Sequence, residues 1–145
     1  MILDKRTEFL DATDVFSSTS ADLVGDVIDM GPNQRDPGQG QQLWWMLLVT
    51  TAFVGGTSFE FSLRSDAVAA VNPSTGTLHI STGAIVVASL AAEARFMLAL
   101  PVEGLIYERF LGLIGTSVGA VSAGAITSGL TLDPAGWKPY PEGLN

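Results

Sequence analysis

The run Thr57-Ser58-Phe59-Glu60-Phe61-Ser62-Leu63-Arg64 alternates polar and apolar residues without a break. In an extended chain this puts Phe59, Phe61 and Leu63 on one side and Ser58, Glu60, Ser62 and Arg64 on the other. The run therefore reads as a strand with one buried face. Just before it, Leu43 to Thr50 is apolar on both faces, the pattern of a central strand covered twice. Gly55-Gly56 between the two is a hairpin signal, and it predicts that 43–50 and 57–64 are antiparallel neighbours.

Similar short runs fill the rest of the chain. Val24 to Met30 reads as a strand, and the turn formers of 31–40 after it make the longest clear loop. Asn72 to Gly76 is a second turn cluster, leading into a strand at Thr77 to Ser81. Residues 84–100 read as two strands around a short connection at 90–93, with one helix as the alternative. Tyr107 to Gly115 and Gly119 to Leu132 complete the series. The glycines of the last segment suit a bend, a bulge or a close backbone approach rather than a stiff central position. About eight short antiparallel strands with Gly/Pro turns predict an all-β chain, a jelly-roll-like β-sandwich or barrel. The expected organisation is a single domain over 1–145. It divides into an extended N-terminal arm at 1–16, the sandwich at 17–132 and a C-terminal tail at 133–145.

The chain is 145 residues long, enough for one domain with a real core. It has no cysteine, which removes disulfides, thiolate nucleophiles and cysteine metal sites together. Its net charge of −8 opposes binding to nucleic acid or to an anionic membrane, and no basic patch offsets it. The start, Met1-Ile2-Leu3-Asp4-Lys5-Arg6, is charged where a secretory signal needs an apolar core. Residues 110–132 carry no charge and have the length of a membrane span. Five glycines and six Ser/Thr dilute them, and the flanks lack an aromatic belt and a Lys/Arg cluster. A membrane span is not expected.

Catalytic and metal motifs are sparse. Gly115-Thr116-Ser117-Val118-Gly119 matches the G-x-S-x-G nucleophile elbow of serine hydrolases. The sole histidine, His79, precedes the serine, the reverse of hydrolase order, and sits between Leu78 and Ile80 as a structural residue would. Asp11, Asp14, Asp22, Asp26 and Asp29 have no calcium-loop spacing and read as solvated carboxylates. No catalytic residue, cofactor or metal is expected. Trp44 and Trp45 must face opposite ways in one strand, one into the core and the other open as an interface anchor or a carbohydrate platform. In the tail, Trp137 and Tyr140 lie among prolines and glycines. Such aromatics either fold back on their own domain or dock onto a neighbour. The termini are expected to be interface elements, with Met1, Ile2, Leu3, Trp137, Pro139 and Tyr140 as the contact residues.

Met1-Ile2-Leu3-Asp4-Lys5, Ser81-Thr82-Gly83-Ala84-Ile85, Arg95-Phe96-Met97-Leu98-Ala99-Leu100-Pro101 and Tyr107-Glu108-Arg109-Phe110-Leu111 occur in that order. Gly124 to Asp133 and then Pro139-Tyr140-Pro141 follow. Together they resemble the small cement, or capsid decoration, proteins of short-tailed bacteriophages over most of the chain. Trp44-Trp45 and loop 31–40 fall outside the resemblance. It implies a jelly-roll-like virion protein on the outer surface of an icosahedral head, clamping neighbouring major capsid subunits. Partners would be the major capsid protein and a second copy, with a dimer favoured over a trimer. A carbohydrate-binding β-sandwich is the alternative, and a serine hydrolase the more remote one.

Overall fold

The computed structural model describes residues 4–15, 20–32, 37, 40–102, 104 and 106–134, and these form an all-β sandwich. Its strands are β1 (Glu8–Asp14), β2 (Ala21–Asp29), β3 (Trp44–Gly55), β4 (Ser58–Asp66), β5 (Thr77–Ser81), β6 (Ile85–Val86), β7 (Arg95–Ala99), β8 (Phe110–Val118) and β9 (Val121–Thr131). A single 3-10 turn, Val87–Ser89, follows β6. One sheet has the order β1-β9-β3-β7; the other has β2-β8-β4-β5, with β6 pairing β4 beside it. All the pairings are antiparallel.

With the two-residue β6 set aside, the remaining strands are those of a jelly roll. Successive strands pass from one sheet to the other, and only β4 and β5 are sequential partners in one sheet. That winding corrects the expected hairpin. Residues 43–50 and 57–64 are strands, but β3 pairs with β9 and β7 while β4 pairs with β8, β5 and β6. Gly55-Gly56 is a corner between sheets. The β8–β9 connection at Gly119 is a second such corner, packed on the first. Gly55, Gly56 and Gly119 have φ of 84°, 67° and 88°, open to glycine and strained for other residues. A Cβ on Gly119 would stand 2.9 Å from the Cα of Gly56.

Between the sheets, Phe59, Phe61 and Leu63 have no exposed surface, as their alternation requires. Phe53 meets Phe59 and Phe61 edge to face, at centroid distances of 5.2 and 6.0 Å. Trp45 points into this core, and its indole N–H donates to Ser128 Oγ at 2.9 Å. The Ser128 hydroxyl donates to the Met46 carbonyl at 2.9 Å, so both buried polar groups are satisfied. Trp44 faces the other way and is half-buried.

Three further expectations change. Residues 1–16 are not all an arm: β1 is an edge strand on β9, and Phe9, Leu10 and Val15 are core residues. A strand with one buried face needs few apolar residues, which is why this one resembled a charged arm. β9 is central rather than peripheral, because its glycines admit close approach on a paired strand; a Cβ on Gly124 would lie 2.7 Å from the Phe53 ring. Residues 84–100 do hold two strands, with a 3-10 turn in a connection longer than expected. Residues 110–132 are β8, the corner and β9, and among the described residues no helix is long and apolar enough to cross a membrane.

Candidate functional site

Ser65 continues the inward series of Phe59, Phe61 and Leu63, so a hydroxyl enters the apolar side at the end of β4. It is fully buried and must be paired. Ser65 Oγ accepts the Glu108 N–H at 2.9 Å and stands 2.7 Å from His79 Nε2. With one hydrogen bond already accepted and no exposed surface of its own, its proton is assigned to Nε2. This selects the neutral imidazole with hydrogen on Nδ1.

The ring of His79 stacks on Tyr107, centroids 3.7 Å apart and planes within 9°. The Tyr107 hydroxyl donates to the Pro101 carbonyl at 2.9 Å, and the Thr77 hydroxyl donates to Glu108 Oε1 at 3.0 Å. The network therefore ties the segment before β8 to β4 and β5. Burial lowers the His79 pKa from the ordinary 6.5, with the Glu108 carboxylate opposing.

Beside this network lies a cleft of about 410 Å³, bounded by Gly31–Pro32, Ala67 and residues 106–109. Ile106 stands at its rim, 66% exposed. Arg109 is held in a fork, with Nε donating to Asp29 Oδ1 at 2.9 Å and Nη2 to Oδ2 at 2.8 Å. The Gly31 N–H also donates to Asp29 Oδ1, at 2.8 Å. Arg109 first and Gly31 second lower the Asp29 pKa to about 2. The guanidinium also lies 4.8 Å from the centroid of the Phe110 ring. The cleft thus offers an apolar rim, a carboxylate at Glu108 and an ion pair whose charges already satisfy each other.

The hydrolase motif is not assembled. Ser117 lies within β8, 4% exposed and paired with Phe59, not on a strand-to-helix turn. His79 is bonded to Ser65, six residues along β4 from Phe59, which places the two sites roughly 20 Å apart. Ser65 itself has no accessible surface from which to attack a substrate. Among the described residues no three carboxylate or imidazole groups converge into a site for a metal ion. Asp11 accepts the Thr127 hydroxyl at 3.0 Å, Asp22 accepts Ser20 at 2.8 Å and Asp29 holds Arg109. The expected interface residues Met1, Ile2, Leu3, Trp137, Pro139 and Tyr140 lie outside the described residues.

The Ser65–His79–Tyr107–Glu108 network was not anticipated from the sequence. The signal for it is Ser65 itself, a polar residue on the apolar parity of a strand, which demands a buried partner.

The model of the Bbp16 family matches residues 12–130, from within β1 almost to the end of β9. Among curated proteins no match to the chain is found.

Proposed function

The chain belongs to the Bbp16 family, a phage-associated family, and from that premise we propose that it is a cement protein of the virion. It binds the outer surface of an icosahedral head and clamps neighbouring major capsid subunits. The observation that carries this reading is the family match, which takes in residues of every strand from β1 to β9 rather than one patch of the sandwich. Three features support it. The strands wind as a jelly roll, Ser65, His79 and Ser128 are taken up in hydrogen bonds within the fold, and the chain's net charge of −8 suits the outside of a DNA-filled shell better than the inside.

The mechanism is linkage. A protein that binds only the expanded shell lowers the free energy of that state and opposes rupture by packed DNA. Met1, Ile2, Leu3, Trp137, Pro139 and Tyr140 are assigned to contacts with the shell or a sister copy. Repetition over a symmetric surface multiplies weak contacts into tight attachment. A dimer astride a two-fold position is the favoured arrangement. Adding the purified protein to heads that lack it tests the reading: it should bind to saturation and raise the temperature at which DNA is released. Saturable binding without a thermal shift would make it a passive surface protein, and no binding would refute the reading.

A further inference from the structure

Apart from the two-residue β6, four strands have an open side: β1 and β7 in one sheet, β2 and β5 in the other. Such edges are ordinarily blunted by bulges or charge, because a bare edge invites another strand. β1 and β2 are blunted both ways. The β1 ladder shifts register twice and the β2 ladder once. β1 carries Asp11 and Asp14 besides Glu8, and β2 carries Asp22 and Asp26 besides Asp29. β5 has no carboxylate, but its ladder shifts register between Leu63 and Arg64 of β4. Among the described edges, β7 alone is regular from end to end. Its residues Arg95 to Ala99 pair with Leu48 to Trp44 one by one, and Arg95 is the single charge. The Leu100 N–H donates to the Leu43 carbonyl and the Val49 N–H to the Ala94 carbonyl, both at 2.9 Å. Even-numbered residues of β7 therefore turn their backbone groups to β3, while Met97 and Ala99 turn theirs outward. Among the described residues no hydrogen bond reaches these outward groups. Phe96 and Leu98 point inward, packed against the core yet only half-buried.

We propose that β7 pairs antiparallel with β7 of a second copy, on a two-fold axis through Leu98, joining two four-stranded sheets into one. In this register Met97 faces Ala99 of the second copy, and Ala99 faces its Met97. Every N–H and C=O that these residues turn outward then finds a partner. On the outer face the small Ala99 leaves room beside the longer Met97. On the inner face Leu98 meets Leu98 of the second copy, which takes half-exposed apolar surface out of water. The register also ends itself, because Arg95 comes opposite Pro101, which has no N–H to give. Charge favours a second copy at this edge. Two chains of net charge −8 repel, and pairing through β1 or β2 would set carboxylates against carboxylates. At β7 the strand has none, and Glu93 just before it is held by Arg95 at 3.6 Å. The inference rests on the two-copy arrangement proposed above and supplies its strand and register.

Because the chain has no cysteine, a single introduced thiol reports on the axis. Two Leu98 Cα atoms would stand about 4.5 Å apart, within reach of a disulfide. Two Phe96 Cα atoms, four residues out of step, would stand roughly 14 Å apart and beyond it. Val118→Cys, on the other sheet and 58% exposed, is the control for random encounter. In concentrated full-length protein under mild oxidation, Leu98→Cys should link into dimers about ten-fold faster than Phe96→Cys or Val118→Cys. The rate should rise with protein concentration. Ala99→Pro removes one outward N–H and leaves the bonds between β7 and β3 in place. It should slow the Leu98→Cys link and weaken self-association of the cysteine-free chain, each about ten-fold, with the circular dichroism unchanged. Leu98→Cys linking no faster than the other two would overturn the pairing. Sedimentation at millimolar concentration gives an independent reading on the parent chain. A parent dimer indifferent to Ala99→Pro would join through another surface, which overturns the pairing and spares the two-copy reading. A parent that stays monomeric would overturn both, while binding to heads is decided by the separate test above.

Discussion

Gly56 and Gly119 pack backbone against backbone, with room for no Cβ between them. They belong to the two corners at which β3 passes to β4 and β8 to β9. Because β3 pairs with β9 and β4 with β8, the corners must stack. The contact therefore fixes the spacing of the sheets at this end of the sandwich.

Gly119→Ala meets two obstacles at once, a positive φ and the Gly56 Cα at 2.9 Å. The expected cost is about 1–3 kcal/mol, read from urea unfolding at unchanged slope. Gly40→Ala is the comparison, since Gly40 has a φ of 84° with nothing within 4 Å of the added carbon. It carries the dihedral strain alone and should destabilise less. Equal effects would remove the corner contact from the account.

Phe61→Ala should cost about 3–5 kcal/mol, because it empties a fully buried site against Phe53 and Phe59. The loss would appear as a lower melting temperature with the strand signature of the circular dichroism retained at low temperature. A loss below about 1 kcal/mol would mean that the three-ring cluster is less tightly packed than it is drawn.

Local structure was legible wherever burial alone decides it. The parity of Phe59, Phe61 and Leu63 is visible in the residues because a strand's period of two needs no knowledge of its neighbours. The doubly apolar run at 43–50 correctly marks β3 as central to its sheet. Its partner was misread because a Gly-Gly corner between sheets and a Gly-Gly hairpin within one look alike locally. Only the distant pairing of β3 with β9 separates them. β1 was misread for a related reason, since Phe9 and Leu10 among charges signal an edge strand only once β9 is known to lie beside them. The functional network was legible to the extent of Ser65's parity. Its other members, His79 from β5 and Tyr107 and Glu108 from the segment before β8, come together through the jelly-roll winding, which leaves no local trace.

Stability should fall on mild acidification in a way that depends on His79. Its pKa in the folded protein lies below the ordinary value of 6.5, so below that pH the unfolded chain binds a proton that the folded one resists. The contribution is complete above pH 6.5 and is lost as the pH falls from there toward the folded pKa. Protonation would also force a second donor onto Ser65 Oγ and strand its buried hydrogen. His79→Gln removes the titration. The drop in melting temperature between about pH 7.5 and about pH 5.5 should be smaller in the variant than in the parent. An identical drop in both would show that carboxylates alone carry the acid sensitivity.

The central claim is that this jelly roll sits outside a phage head and joins capsid subunits. A cryo-electron-microscopy map of the assembled particle tests it most directly. The account predicts sandwich-shaped density on the outer surface, fitted by β1 to β9 and bridging adjacent major capsid subunits. Purified particles that lack the chain, or a map that places it inside the shell or away from subunit boundaries, would contradict it.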